Sequence, residues 1–148
     1  MKNLVKIGIC LSIVIIIGII GTLIFRHYFY FPKVRVYTKG ETLYLYRGPW
    51  SWKYWNGKQD GISMLYMPSG DDVIGSKRTI VKPGQRINIK FSRKPTYYRL
   101  FGLETDLDTE DLSEPLYAPE KSGIYYYRIN AEWDRGGAYF LFGIEVKA

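Results

Sequence analysis

The hydrophobic and polar positions of this chain follow two different rhythms. From Ile7 to Phe25 (IGICLSIVIIIGIIGTLIF), nineteen consecutive residues carry no formal charge. Coiled as an α-helix, that run is about 28 Å long, close to a hydrocarbon core of about 30 Å, and it predicts one membrane-spanning helix. Beyond it the period changes to two. Tyr125, Tyr127, Ile129, Ala131 and Trp133 alternate with Arg128, Asn130 and Glu132, which predicts a strand with one buried and one wet face. Asp134-Arg135-Gly136-Gly137 reads as a turn, and Ala138, Phe140, Phe142, Ile144 and Val146 form a second apolar stripe opposite Glu145 and Lys147. Two such runs joined by a Gly-containing loop predict a β-hairpin.

The same alternation predicts strands over Val34–Tyr37, Thr42–Tyr46, Thr79–Val81, Ile87–Phe91 and Tyr97–Leu103, with a weaker one over Ile62–Met67. Lys82-Pro83-Gly84-Gln85 is a turn, since proline presets φ and glycine accepts positive φ. No helical period stands out after residue 33, and Glu104–Glu114 reads as an acidic loop. Short strands punctuated by turns predict an all-β, antiparallel β-sandwich. Gly123 and Tyr125 at the head of the penultimate strand fit either the tyrosine corner of immunoglobulin-like domains or an ordinary turn before an aromatic strand.

Four segments follow: a short cytoplasmic N-terminus (1–6), a transmembrane helix (7–25), a juxtamembrane aromatic linker (26–33) and an extracytoplasmic β-sandwich domain (34–148). The apolar run exceeds the h-region of a signal peptide, and no Ala-x-Ala pattern follows it, so it reads as an uncleaved signal-anchor. Cys10 sits near the start of the run and follows Ile9, where a lipobox cysteine would end the run after a small residue. Lys2 and Lys6 on one side are balanced by Arg26, Lys33 and Arg35 on the other. Local charge thus leans toward the domain staying inside, whereas the signal-anchor layout and the ease with which long domains translocate place it outside. The outside orientation is preferred.

Charge adds a second layer. The formal net charge is +7, and between Lys77 and Arg99 eight basic residues occur with no acid among them. Lys82, Arg86, Lys90, Arg93 and Lys94 make this a basic patch, suited to lipid head groups or an anionic envelope polymer, or else to pairing with the acidic loop downstream. Nucleic acid has the charge but not the address and is not expected as a partner. Cys10 being the single cysteine, the domain holds no disulfide.

Residues 79–92, with VKPGQRINIKF, and residues 115–147, with PEKSGIYYYRINAEWDRGGAYFLFGIEVK, resemble the equivalent turn-and-strand segments of small extracytoplasmic β-sandwich proteins of Gram-positive bacteria. The resemblance covers under half of the chain and rests mainly on alternation. It implies an immunoglobulin-like fold and an envelope location, and it supplies no catalytic residues. Some members are lipoproteins, whereas this chain carries a helix without a usable lipobox.

Candidate chemistry is sparse. The one histidine, His27, flanks the membrane segment, and Cys10 lies within it, so no Cys/His nucleophilic pair forms. Zinc lacks its usual ligands, no phosphate-cradling or nucleophile-elbow motif occurs, and no cofactor is expected. An EF-hand starting at Asp106 fails, because Asp111 and Tyr117 stand where Gly and Glu are required; a looser calcium site in the acidic loop stays open. The most unusual stretch is Trp50-Ser51-Trp52-Lys53-Tyr54-Trp55, preceded by Arg47. Trp50, Trp52 and Tyr54 would share one strand face, either capping the core or forming a surface for a ligand or partner, with Trp55, Arg47 and Lys53 at its edge. The resulting expectation is a non-enzymatic, single-pass membrane protein. Its domain binds an envelope polymer or a membrane-protein partner; the alternative is an accessory subunit acting through its helix, in which Gly8/Ser12 and Gly18/Thr22 permit close packing.

Overall fold

A computed structural model of the chain describes residues 2–63, 68–103, 110–112 and 115–148. The chain divides into two units, residues 1–32 and residues 33–148.

The first unit is helix α1, Lys2–Phe29. Its 21-residue segment Lys6–Arg26 is long and apolar enough to cross a membrane, a property shared by membrane anchors and signal sequences. Apolar side chains such as Ile7, Leu11, Ile17 and Leu23 are exposed all round it. Its hydroxyl groups are satisfied within the helix: Ser12 Oγ donates to the Gly8 carbonyl (3.0 Å) and Thr22 Oγ1 to that of Gly18 (2.8 Å). The helix runs to Phe29, past the expected end at Phe25.

The second unit is built from β1 (Val34–Thr38), β2 (Glu41–Thr42), β3 (Tyr46–Lys53), β4 (Gln59–Ile62), a short helix α2 (Gly70–Ile74) with a 3-10 turn (Gly75–Lys77), β5 (Thr79–Val81), β6 (Arg86–Phe91), β7 (Tyr97–Leu103), β8 (Glu110–Leu112), β9 (Leu116–Tyr117), β10 (Gly123–Trp133) and β11 (Gly136–Val146). A four-stranded sheet has the order β2-β1-β6-β9. A larger sheet has the order β4-β3-β11-β10-β7-β8. β11 is central: β10 pairs antiparallel along its whole length, while its other edge is shared by β3, antiparallel, and β5, parallel.

The expected hairpin forms with Trp133 opposite Gly136, so Asp134 and Arg135 make a two-residue turn. Gly136 has φ of 145°, a conformation that favours glycine. Lys82–Gln85 turns as expected, with the Gln85 N–H on the Lys82 carbonyl (3.1 Å) and Gly84 at φ 64°. The core gathers the odd positions of β10 and the even positions of β11, joined by Trp52, Leu100, Val36 and Ile87. Rings link the sheets: Phe91 of β6 lies 6.2 Å from Trp133 and 5.1 Å from Tyr98. Thr38, also buried, donates to the Arg86 carbonyl (2.7 Å) and accepts from Gln85 Nε2 (2.7 Å). The Tyr125 hydroxyl donates back to the Lys121 carbonyl (2.9 Å), the bond a tyrosine corner makes.

Two expectations are corrected, and a third falls mostly outside the described residues. Thr42–Tyr46 is not one strand: β2 ends at Thr42, β3 begins at Tyr46, and buried Leu43 lies between them. Leu43 still bonds β1, its N–H on the Val36 carbonyl (2.9 Å), and the chain crosses to the large sheet after it. Of the weak strand expected at Ile62–Met67, Ile62 ends β4 (Gln59–Ile62) and 64–67 lie outside the described residues. The domain is not free of helix. Ser69 caps α2 through a capping box with Asp72, and α2 covers the outward side of the large sheet. There a Cβ on Gly143 would meet Ile74 Cγ2 and the Tyr126 ring at 2.9 Å, so glycine lets the helix approach. Arg78 Nη1 donates to Asp71 Oδ1 (2.9 Å) and to Tyr126 Oη (2.8 Å), and Tyr126 Oη donates to Asp71 Oδ1 (2.6 Å), which fastens α2 and the turn after it to β10. The Tyr126 hydrogen bond, then the Arg78 charge, hold the Asp71 carboxyl below its usual range, while burial foremost raises the Tyr126 hydroxyl.

Candidate functional site

Strand alternation sorts the Trp-rich segment. Trp52 pairs with Gly136 and is fully buried, edge-on to Trp133 at 6.2 Å. Arg93 stacks over Trp52 at 5.0 Å, its carbonyl accepts from Trp133 Nε1 (3.0 Å), and its Nη2 lies 3.6 Å from Asp134 Oδ1. Both residues therefore belong to the interior. Trp52 is no part of a binding surface, and Arg93 is no part of a solvent-facing basic patch. Trp50 is half-buried beneath the Arg47 guanidinium, 4.7 Å from its ring. The Lys53 N–H and carbonyl hold the hairpin turn through Arg135, at 2.8 and 3.1 Å, leaving its side chain exposed. Tyr54 is half-buried in the tight turn that ends with its N–H on the Lys58 carbonyl (2.8 Å). Trp55, 64% exposed, stands out on that turn.

The remaining basic residues separate as well. Lys82 sits in the turn before β6 and Lys94 in the loop after it, both exposed. Arg86 and Lys90 project from β6 on the outward side of the small sheet. The acidic stretch falls mostly outside the described residues, apart from 110–112 in β8. Among the described residues no cluster of three or more His, Cys, Asp or Glu side chains could hold a metal.

A composite surface near the predicted segment faces outward from the large sheet. Register places Tyr97, Glu132, Gly137 and Ser51 in one row across β7, β10, β11 and β3. Arg99, Asn130 and Tyr139 make the next row. The row is broken by Gly137, whose missing side chain opens a groove of about 470 Å³ bordered by Pro49, Trp50, Ser51, Glu132 and Tyr139. Glycine is required there, because a Cβ would meet the Ala131 carbonyl oxygen at 2.9 Å. By alternation Ser51 and Glu132 point into the groove, while Trp50 borders it through the strand. Tyr139 is 40% and Tyr97 46% exposed, and Arg99 lies 5.4 Å from the Tyr97 ring. The exposed Tyr139 ring borders the groove beside the Glu132 carboxylate and the Ser51 hydroxyl, and Tyr97 stands in the adjoining register position outside its lining. That arrangement offers stacking faces and hydrogen-bond partners but no nucleophile–base pair.

Sequence reasoning missed Tyr97, Tyr139, Glu132 and Asn130 as site residues. They appear in the sequence as the polar-facing half of the alternation, and only the register gathers them around Gly137. No family model matches the chain, and no curated protein or solved structure matches it.

Proposed function

We propose that the chain is a single-pass membrane-anchored envelope protein whose extracytoplasmic β-domain binds sugar residues of an envelope polymer without transforming them. The observation that carries this reading is the groove over Gly137, bordered by Tyr139 with Glu132 and Ser51 as hydrogen-bonding groups, and with Tyr97 in the same register row. Sugar rings present apolar C–H faces to aromatic rings and hydroxyls to carboxylates and amides, so this surface matches both halves of a saccharide. The domain is proposed to be immunoglobulin-like. The Tyr125–Lys121 bond and the parallel pairing of β5 with the last strand support that assignment.

The test is co-sedimentation of the detergent-solubilised full chain with insoluble cell-wall glycan stripped of its anionic polymers. Tyr139→Ala and Glu132→Gln are expected to reduce bound protein at least tenfold, and Trp55→Ala to leave it unchanged. Equal sedimentation of all three variants and the parent would overturn the proposal. A second reading, an accessory subunit working through its helix, draws on the apolar side chains exposed along α1. Exchange of α1 for an unrelated apolar helix would abolish activity in cells under that reading and preserve it under the first.

A further inference from the structure

Opposite the large sheet, the small sheet turns a different chemistry outward. Arg35 of β1 is the register partner of Lys90 on β6, and Tyr37 is the partner of Asn88. Directly opposed residues have Cβ atoms about 5 Å apart, so Arg35 and Lys90 form one cationic point. Arg86 lies four residues from Lys90 along the same strand, which places a second cationic point about 13 Å away. Starting at Arg86 and running along β6 toward Lys90 is a groove of about 290 Å³, bordered by Tyr37, Arg86, Asn88, Pro115 and Leu116, with Arg35 and Lys90 beyond its lining. Arg35, Arg86 and Lys90 are all exposed, and no ion pair to any of them occurs among the described residues.

We infer that this groove is a binding site for a linear polymer of phosphodiesters. Two cationic points 13 Å apart exceed the reach of one phosphate and match a strand that carries several. Between them the Tyr37 hydroxyl and the Asn88 amide supply neutral donors for the intervening phosphate oxygens. Concavity favours a flexible strand lying in the groove over a flat array of lipid head groups. The inference uses the face of a different sheet from the sugar-binding proposal and does not depend on it. Of the basic patch expected from the sequence it uses Arg86 and Lys90 and adds Arg35, without Lys82, Arg93 or Lys94.

The experiment is calorimetric titration of the full chain, held in nanodiscs of zwitterionic lipid, with a synthetic ten-unit glycerol-phosphate oligomer over a range of salt concentrations. Three phosphate contacts predict a slope of log affinity against log salt of roughly −2, at about −0.7 per contact. Arg35→Gln, Arg86→Gln and Lys90→Gln are each expected to make that slope shallower by about 0.7 and to weaken binding several-fold, and Lys58→Gln to change neither. Since the three side chains are exposed, unchanged melting of each variant shows that folding is intact. Two further ligands separate the sources of phosphate: inorganic phosphate should bind far more weakly than the oligomer, and vesicles rich in anionic lipid should not outcompete it. Absence of oligomer binding, a slope indifferent to the three substitutions, equal affinity for inorganic phosphate, or preference for the anionic vesicles would each overturn the inference.

Discussion

Trp52 has no exposed surface, meets Trp133 edge-on and carries Arg93 on its face. Cutting it to alanine removes the largest fully buried side chain of the domain and leaves a cavity that the strand ladder on both sides cannot collapse around. Tryptophan-to-alanine changes in such settings cost about 3–5 kcal/mol. The complete burial of Trp52, and the stranding of Arg93 without its ring, place this case near 4 kcal/mol, a large share of the roughly 5–15 kcal/mol that a domain holds. With a urea dependence of about 2 kcal/mol per molar, the unfolding midpoint should fall by about 2 M. The assay is urea unfolding of the full chain in micelles, followed by near-ultraviolet circular dichroism, with the slope checked for constancy. Trp55→Ala, on the exposed turn, is the control and should move stability by less than about 0.5 kcal/mol. A Trp52→Ala midpoint within about 0.3 M of the parent would refute the assignment of this residue to the core.

The remaining predictions concern two tyrosines two positions apart on β10. Tyr125→Phe removes the hydrogen bond to the Lys121 carbonyl, which is exposed, and should cost about 0.5–1 kcal/mol in the same unfolding assay without altering the slope. Tyr127, stacked on Phe142 at 5.0 Å, has its hydroxyl pushed up to about 12, first by burial and then by Tyr125. An unfolded tyrosine ionises near pH 10, so between pH 10 and 12 the unfolded state loses its proton while the folded state keeps it. Stability is therefore fully present below pH 10 and falls as pH rises, by up to about 1.4 kcal/mol per pH unit, or roughly 2–3 kcal/mol in all. Between pH 9 and 12 the parent should lose more stability than Tyr127→Phe, by roughly 2–3 kcal/mol; an identical loss in both would count against the reasoning.

How much of this was legible in the chain depends on which force sets each element. The last hairpin is long, strictly alternating and turned by glycines, so Gly123–Trp133 and Gly136–Val146 emerge within a residue or so of expectation. Local chemistry also marks the Lys82–Gln85 turn. The helix α2 escaped because five residues cannot display a helical period, although Ser69 three residues before Asp72 carried its capping signal. Thr42–Tyr46 misled because alternation registers burial, and Leu43 is buried just past the end of β2 as it would be within a strand. Sites were harder still. The clustering of Trp50, Trp52 and Trp55 is visible in one dimension, yet its members end in three environments. The groove over Gly137 and the Arg35–Lys90 pair arise only from register between strands distant in sequence.

The placement of β11 sets the order in which this domain can assemble. A chain delivered from its N-terminus presents β3 and β5 long before residues 136–146 arrive, and β10 immediately before them. Until then three strands wait without a common partner, and closure must be late and abrupt, since non-local pairing precedes any reward. Such a polypeptide stays threadable through a narrow channel for nearly its whole length. Truncation at residue 135 should then yield bare strand edges and aggregates, where a loss of residues from the helix end would not.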